Sequence, residues 1–253
     1  MSRIVTVAAT QMACSWERAA NIANAEKLVR QAAAQGAQII LLQELFETPY
    51  FCQKPNPDYL QLATPLEGNE AIAHFRKVAR ELRVVLPISF FERAGRARFN
   101  SVAVIERSGK LLGSYRKQRP VGNAEAWSVA GGEGQPFQVD GLRVGTLICA
   151  DAWRPEPAAQ LAARGAQILL SPANWPPVEG MGPGDVWEKR SRQTGLPLIV
   201  VNRGGKEPEL DFSRGESAVS VGGRRVFTFT AAEGGIFYVD WDRHRRFRSV
   251  RTD

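Results

Sequence analysis

The segment Gln31-Ala-Ala-Ala-Gln-Gly-Ala-Gln-Ile-Ile-Leu-Leu42 recurs as Gln160-Leu-Ala-Ala-Arg-Gly-Ala-Gln-Ile-Leu-Leu170. Each copy reads as a helix end, a glycine that stops the helix, and a buried strand. An apolar run without polar alternation is covered on both faces, so Ala37 to Gln43 and Gln167 to Ser171 belong inside a layered sheet rather than on a half-wet one. One helix–strand unit in each half of the chain restricts the architecture to the α/β class.

The rest of the pattern fits that class. Ile4 to Ala9 is a short β-rich run, followed by a helical stripe at Ile22, Ala25, Val29 and Ala32, which Gly36 caps. A second helix shows Ile72, Phe75, Ala79 and Leu82 on one face, with strand-like Val84 to Phe91 after it. Phe99 to Ile105, Lys110 to Tyr115 and Leu142 to Ile148 add further strands, and Pro155 and Pro157 suit the first turn of a helix. No linker or low-complexity stretch divides the 253 residues. The expected organisation is a single domain over 1–253, with 241–253 as a basic C-terminal tail.

Composition matters here for what it excludes. No apolar run approaches the roughly 20 residues of a membrane span, and the start of the chain does not read as a leader peptide, so a cytoplasmic location is expected. Three cysteines (Cys14, Cys52, Cys149) without CxxC spacing suggest neither a disulfide framework nor a zinc site. The net charge of +7 is spread along the chain, and its one cluster, Arg243-His-Arg-Arg-Phe-Arg-Ser-Val-Arg251, comes without a recognition motif. A nucleic-acid partner is therefore not expected. That tail shows no core pattern of its own, and is expected to be ordered by a partner subunit.

The chemistry concentrates at three strand ends. Cys149 follows the apolar run Val144-Gly-Thr-Leu-Ile148 and is the best nucleophile candidate. The chain has only two histidines, His74 in a helical pattern and His244 in the tail, so its proton acceptor has to be a carboxylate. Glu44 ends the strand Ile39-Ile-Leu-Leu-Gln43, and Lys117 stands in Gly113-Ser-Tyr-Arg-Lys-Gln-Arg-Pro120.

Leu42-Gln-Glu-Leu-Phe46, Tyr115-Arg-Lys117 and Gly145-Thr-Leu-Ile-Cys-Ala-Asp151 together resemble the glutamate, lysine and cysteine motifs of the nitrilase superfamily of carbon–nitrogen hydrolases. The resemblance runs from about Ile4 to Asp240. Glu44-Leu-Phe-Glu-Thr-Pro-Tyr-Phe-Cys-Gln53 also resembles that superfamily's N-carbamoylputrescine amidase branch. The resemblance implies a four-layer α-β-β-α sandwich, a homodimer or higher homo-oligomer, and a cofactor-free, metal-free cysteine amidohydrolase. Its substrate would be a small linear amide or N-carbamoyl amine, cleaved through a thioester acyl-enzyme with release of ammonia.

In that reading Glu44 is the general base, and Lys117 with the backbone N–H of Ala150 receives the oxyanion. The Lys117 ammonium is also expected to favour the Cys149 thiolate. Glu125, in Val121-Gly-Asn-Ala-Glu-Ala-Trp127, falls where the family carries a second glutamate, with Glu133 the alternative. Ala150 replaces the family's usual tryptophan, which opens space beside the nucleophile. Asp151 matches the amidase branches rather than the nitrilases. Tyr50, Phe51, Asn174, Trp175 and Asp185 are the candidate substrate-binding residues. Glu179 and Asp185, on a Gly-rich lid, suit a cationic distal group on the substrate, whereas Arg203 suits an anionic one. A nitrilase or an acyltransferase with the same Glu-Lys-Cys site is the alternative chemistry, and a catalytically silent binding scaffold is the alternative of another class.

Overall fold

The computed structural model describes residues 4–53, 56–139, 141–177, 182–242 and 246–252. The two recurring segments become two matching crossovers. In the first half β1 (Ile4–Gln11), α1 (Arg18–Ala34) and β2 (Ile39–Leu42) form a parallel β–α–β unit, Val7 lying beside Ile39. After α2 (Glu70–Leu82), the strands β3 (Leu86–Ala94), β4 (Ala97–Ile105) and β5 (Leu111–Arg116) run as an antiparallel meander. In the second half β6 (Phe137–Val139) pairs antiparallel with β7 (Leu142–Thr146). From β7 the chain crosses through α3 (Pro155–Ala163) to the parallel strand β8 (Ile168–Pro172), then through α4 (Val186–Thr194) to β9 (Leu198–Val201), parallel again. A small hairpin, β10 (Gly205–Lys206) with β11 (Asp211–Phe212), precedes β12 (Ser217–Val221) and β13 (Arg224–Phe229). The chain closes with β14 (Gly235–Asp242) and β15 (Arg246–Thr252).

Both recurring helices end in the same hydrogen-bonded cap. Gly36 sits at φ 87° and Gly165 at φ 85°, a left-handed conformation that glycine adopts without a Cβ clash. At the first, Gly36 N–H donates to Ala33 O and Ala37 N–H to Ala32 O. At the second, Gly165 N–H donates to Ala162 O and Ala166 N–H to Leu161 O. This is the Schellman arrangement, which turns the chain directly into the next strand.

One sheet has the order β15-β14-β1-β2 and continues through a parallel bridge between Ile39 and Val85 to β3-β4-β5. The other has the order β13-β12-β9-β8-β7-β6. All four residues of β2 are buried, and alternation sends them to different layers. Ile39 and Leu41 join a core with Val144, Ile168 and Leu170 of the second sheet. Ile40 and Leu42 join a separate core with Ala25 and Val29 of α1 and Phe75 and Val78 of α2. Each such side chain contributes roughly 1.5–3 kcal/mol of burial free energy. With α3 and α4 packed on the far side of the second sheet, the result is the four-layer α-β-β-α sandwich. No helix among the described residues is long and apolar enough to cross a membrane.

The C-terminal segment departs from expectation. Instead of awaiting a partner, residues 246–252 form β15, antiparallel to β14 of the same chain. The register slips where Trp241 faces Phe247 and Asp240 faces Ser249, so Arg248 is an extra residue. This bulge lets Phe247 and Val250, three apart, both pack on the inter-sheet core. Two of its arginines are also engaged locally. Arg248 donates to Asp242 at 2.6 Å, and Arg251 lies 4.2 Å over the Tyr238 ring.

Candidate active site

The candidate residues gather where strands end. Glu44 follows β2, Lys117 follows β5, Cys149 follows β7, Asn174 follows β8 and Arg203 follows β9. In layered sheets the carboxyl ends of parallel strands are where ligands bind, because the backbone leaves the ladder there and side chains converge. Glu44, Lys117, Glu125 and Cys149 are all 5% exposed or less.

Lys117 Nζ is the hub. It donates to Glu44 Oε1 at 3.1 Å and to Glu125 Oε1 at 3.0 Å. Asn100, which the sequence reading did not single out, donates through Nδ2 to the same two oxygens, at 2.6 and 2.9 Å. Val121 N–H donates to Glu125 Oε2 at 2.6 Å. Burial disfavours the Lys117 cation, but Glu125 and Glu44 more than offset that and hold its pKa well above the ordinary lysine value. Glu133, the other candidate for the second glutamate, is an exposed partner of Arg164. The lysine's second carboxylate is therefore Glu125.

Glu44 Oε2 is buried and has no hydrogen-bond partner. Burial raises the Glu44 pKa above the ordinary carboxylate value, with Lys117 pulling it down and Glu125 pushing it up.

Cys149 opens a short 3₁₀ turn, Cys149–Trp153, at φ 45°, a conformation strained for any residue with a Cβ. Burial and the Glu44 carboxylate raise its thiol well above the ordinary value, against opposing pulls from Lys117 and the Asn174 backbone N–H on the sulfur. Lys117 thus pulls toward the thiolate as expected, but burial and Glu44 outweigh it. Burial is the largest of these effects, so the site favours the thiol form beside the Glu44 carboxylate.

Asp151 clamps the turn to the lysine loop. Its Oδ2 accepts from Ile148 N–H at 2.9 Å and Tyr115 OH at 2.7 Å, and its Oδ1 from Gln118 and Arg119 N–H at 3.0 and 2.9 Å. Burial nevertheless pushes its carboxyl up to about 6.

The outer candidates divide. Tyr50 borders the cluster: burial, Cys52, Cys149 and Glu44 all raise its phenol. Phe51 packs in an aromatic group with Phe91, Tyr59 and Trp127. Trp175 is buried between Trp153 and Trp187. Asp185 is an exposed carboxylate bonded to Lys189 at 2.8 Å, not a member of the Glu44–Lys117 cluster. Glu179 lies outside the described residues.

Arg203 is not available to a substrate carboxylate. It is fully buried, and all five of its N–H donors are used within the protein. Nε donates to Asn174 Oδ1 at 2.8 Å. One terminal nitrogen donates to Thr48 O and Glu207 Oε1, the other to Glu44 O and Leu45 O. The fork thus ties the loop after β2 to the loop after β8. Because Arg203 can only donate, Asn174 must turn its oxygen toward it, which leaves Nδ2 buried without a partner. Arg203→Met is expected to lower stability by about 3–5 kcal/mol, since the buried Glu207 carboxylate loses its counter-charge. Arg203→Lys should recover only part of this, because an ammonium cannot reproduce the five-way fork. Urea unfolding measures both, and a Met variant within about 1 kcal/mol of the parent would contradict the role.

A thiol, a free carboxylate oxygen and an ammonium in one buried site can take a proton from sulfur, pass it to a leaving group and stabilise an oxyanion. The comparisons with known proteins agree in kind. A family model described as carbon–nitrogen hydrolase matches residues 6–246. The N-carbamoylputrescine amidase of Solanum lycopersicum is 38% identical over 246 residues, 92% of this chain and 81% of that protein. The crystal structure of a carbon–nitrogen hydrolase from Helicobacter pylori G27 superposes with a TM-score of 0.86 at 28% identity, covering 96% of this chain and 90% of that one. A variant of the amidase from Nesterenkonia sp. AN1, captured after Michael addition of acrylamide at its active-site cysteine, gives 0.82 at 25% identity, covering 92% of each chain.

Proposed function

This chain belongs to the carbon–nitrogen hydrolase family, and from that premise we propose that it hydrolyses a small linear N-carbamoyl amine or amide through a thioester on Cys149. The observation that carries the reading is the pairing of Glu44's two oxygens. Oε1 is held by Lys117 and Asn100, while Oε2 is buried with no partner in the site that contains the thiol.

In the proposed first half-reaction Glu44 Oε2 takes the Cys149 proton as sulfur attacks the carbonyl carbon. The carbonyl π electrons move to oxygen, which accepts hydrogen bonds from Lys117 Nζ and Ala150 N–H. Such donors typically contribute about 3–4 kcal/mol each to lowering the barrier. The intermediate collapses, the C–N bond breaks, and Glu44 returns its proton to the departing nitrogen, which leaves as ammonia. In the second half-reaction Glu44 deprotonates water, and the hydroxide adds to the thioester carbon. The C–S bond then breaks, and the proton passes from Glu44 to sulfur. From an N-carbamoyl amine the product is a carbamic acid, which decomposes to amine and carbon dioxide.

Three observations bear on the substrate. The anionic reading depended on Arg203, whose donors are all engaged. Asn174, whose backbone N–H reaches the Cys149 sulfur, has its Nδ2 unpartnered, and Tyr50 borders the same cluster. The tomato relative's named substrate is an N-carbamoyl amine with a cationic far end. Ammonia release should therefore be fastest from N-carbamoylputrescine or 4-guanidinobutyramide, with kcat/KM about tenfold or more above glutaramate and a matched nitrile. A glutaramate preference would restore the anionic reading. A nitrile preference would defeat the amidase assignment in favour of the nitrilase alternative with the same Glu-Lys-Cys site.

A further inference from the structure

We propose that Asn100 is a positioning residue that selects the acting oxygen of Glu44 and keeps that carboxylate ionised at working pH, an inference that rests on the hydrolase reading above. Asn100 Nδ2 has two N–H groups, and both are used on carboxylates: one on Glu44 Oε1 at 2.6 Å, the other on Glu125 Oε1 at 2.9 Å. Carboxylates only accept, so the amide orientation is fixed by its partners. With Lys117 also on Oε1, that oxygen has two donors and Oε2 has none. The carboxylate is thereby held in one rotational state, with its open lone pairs on Oε2.

The backbone explains how Asn100 arrives there. β4 and β5 pair Val102 with Tyr115 and Ser101 with Arg116, so the next step sets Asn100 against Lys117, whose N–H donates to Asn100 O at 2.8 Å. Val102 and Val104 face the second sheet, and Asn100 shares their parity along the strand. The position costs stability, because Asn100 Oδ1 is buried without a partner. A neutral donor also has a specific advantage here: it satisfies two carboxylates without adding a cation that would compete with Lys117.

The titratable and charged groups acting on or beside Glu44 are Lys117, Glu125, Cys149, Tyr50, Cys52 and Arg203. Burial already raises the Glu44 pKa, and the Asn100 bond is among the pulls that lower it. Removing that donor disfavours the ionised base, so the acid limb of kcat/KM must move to higher pH. Asn100→Leu is expected to move it up by about one to two pH units, the effect of losing one hydrogen bond to a charged group. The loss should fall mainly on kcat, and the rate should recover to within about tenfold of the parent on the alkaline side. Asn100→Ser, which keeps one donor, should give an intermediate profile, and it decides the matter if the Leu variant does not fold.

A loss equal at every pH in the variant that folds would overturn the inference and leave Asn100 a structural residue. Glu44→Gln serves as the control. If it is inactive while the Asn100 profiles do not move, only this inference fails. If it turns over normally, the hydrolase reading fails first.

Discussion

Cys149→Ala is expected to lower turnover by roughly four to six orders of magnitude, as loss of a covalent nucleophile does in enzymes whose groups act as a unit. The fold should tolerate the change. Alanine keeps the Cβ, so the strain at φ 45° is unaltered, and the residue removed is one sulfur from a buried site. Glu44→Gln tests the partner role with equal economy. Its amide oxygen can keep the bonds from Lys117 and Asn100, while an NH₂ replaces the free Oε2 and cannot accept the thiol proton. A loss of about 10²–10⁴ is expected from the missing base alone. Single-turnover ammonia release with both purified variants, checked by circular dichroism, measures these effects. Substantial turnover by a folded Cys149→Ala protein would remove the nucleophile assignment.

Glu44 and Cys149 were legible because each follows a buried apolar run, where a polar side chain has few places to go, whereas Lys117, after the half-exposed strand Leu111–Arg116, was legible only through its motif. The layered sheet was legible for a related reason: Ile39 to Leu42 and Ile168 to Leu170 lack alternation, which only double coverage explains. What escaped notice depends on register and on sums of charge. Asn100 sits in Phe99-Asn-Ser101 as an ordinary polar strand position, and only its pairing opposite Lys117 gives it two carboxylates. Arg203 reads as a cation able to meet a substrate. Its burial follows from Glu207, four residues on, and from carbonyls at Glu44, Leu45 and Thr48, about 155 positions away in sequence for the last of these.

One expectation failed and another was outweighed, each for a physical reason. The C-terminal strand was hidden because a bulge at Arg248 shifts its inward residues from a spacing of two to a spacing of three. The thiolate expectation counted the Lys117 charge, which does act in that direction, but neither the burial of the thiol nor the Glu44 carboxylate that outweigh it. A sequence shows which charges exist, but the net effect on Cys149 depends first on its burial, and then on its distances from Glu44 and from the one ammonium that two carboxylates share.

The same shared ammonium makes Lys117→Met the second large effect, this time on both activity and stability. The variant keeps most of the side-chain volume and removes the only cation bonded to Glu44 and Glu125 among the described residues. Two carboxylates at 1% side-chain exposure then lack a counter-charge, and breaking a buried ion pair from one side typically costs about 3–5 kcal/mol. Turnover should fall at least about 10²–10³-fold through the lost oxyanion donor. The stability deficit should depend on pH with a definite sign. Without Lys117 the Glu44 carboxyl, already raised by burial, rises further above its unfolded value. Its protonated form stabilises the fold at low pH, and that contribution is lost as pH increases through the raised value. The deficit relative to the parent should therefore be smallest in acid and grow toward neutrality. Adding Glu125→Gln to Lys117→Met should return part of the stability, with a coupling of about 0.5–3 kcal/mol, and none of the activity. Urea unfolding across pH 4–8 on the four proteins of this cycle decides the point. A Lys117→Met variant as stable as its parent at neutral pH would mean that the two carboxylates do not need the lysine to be buried.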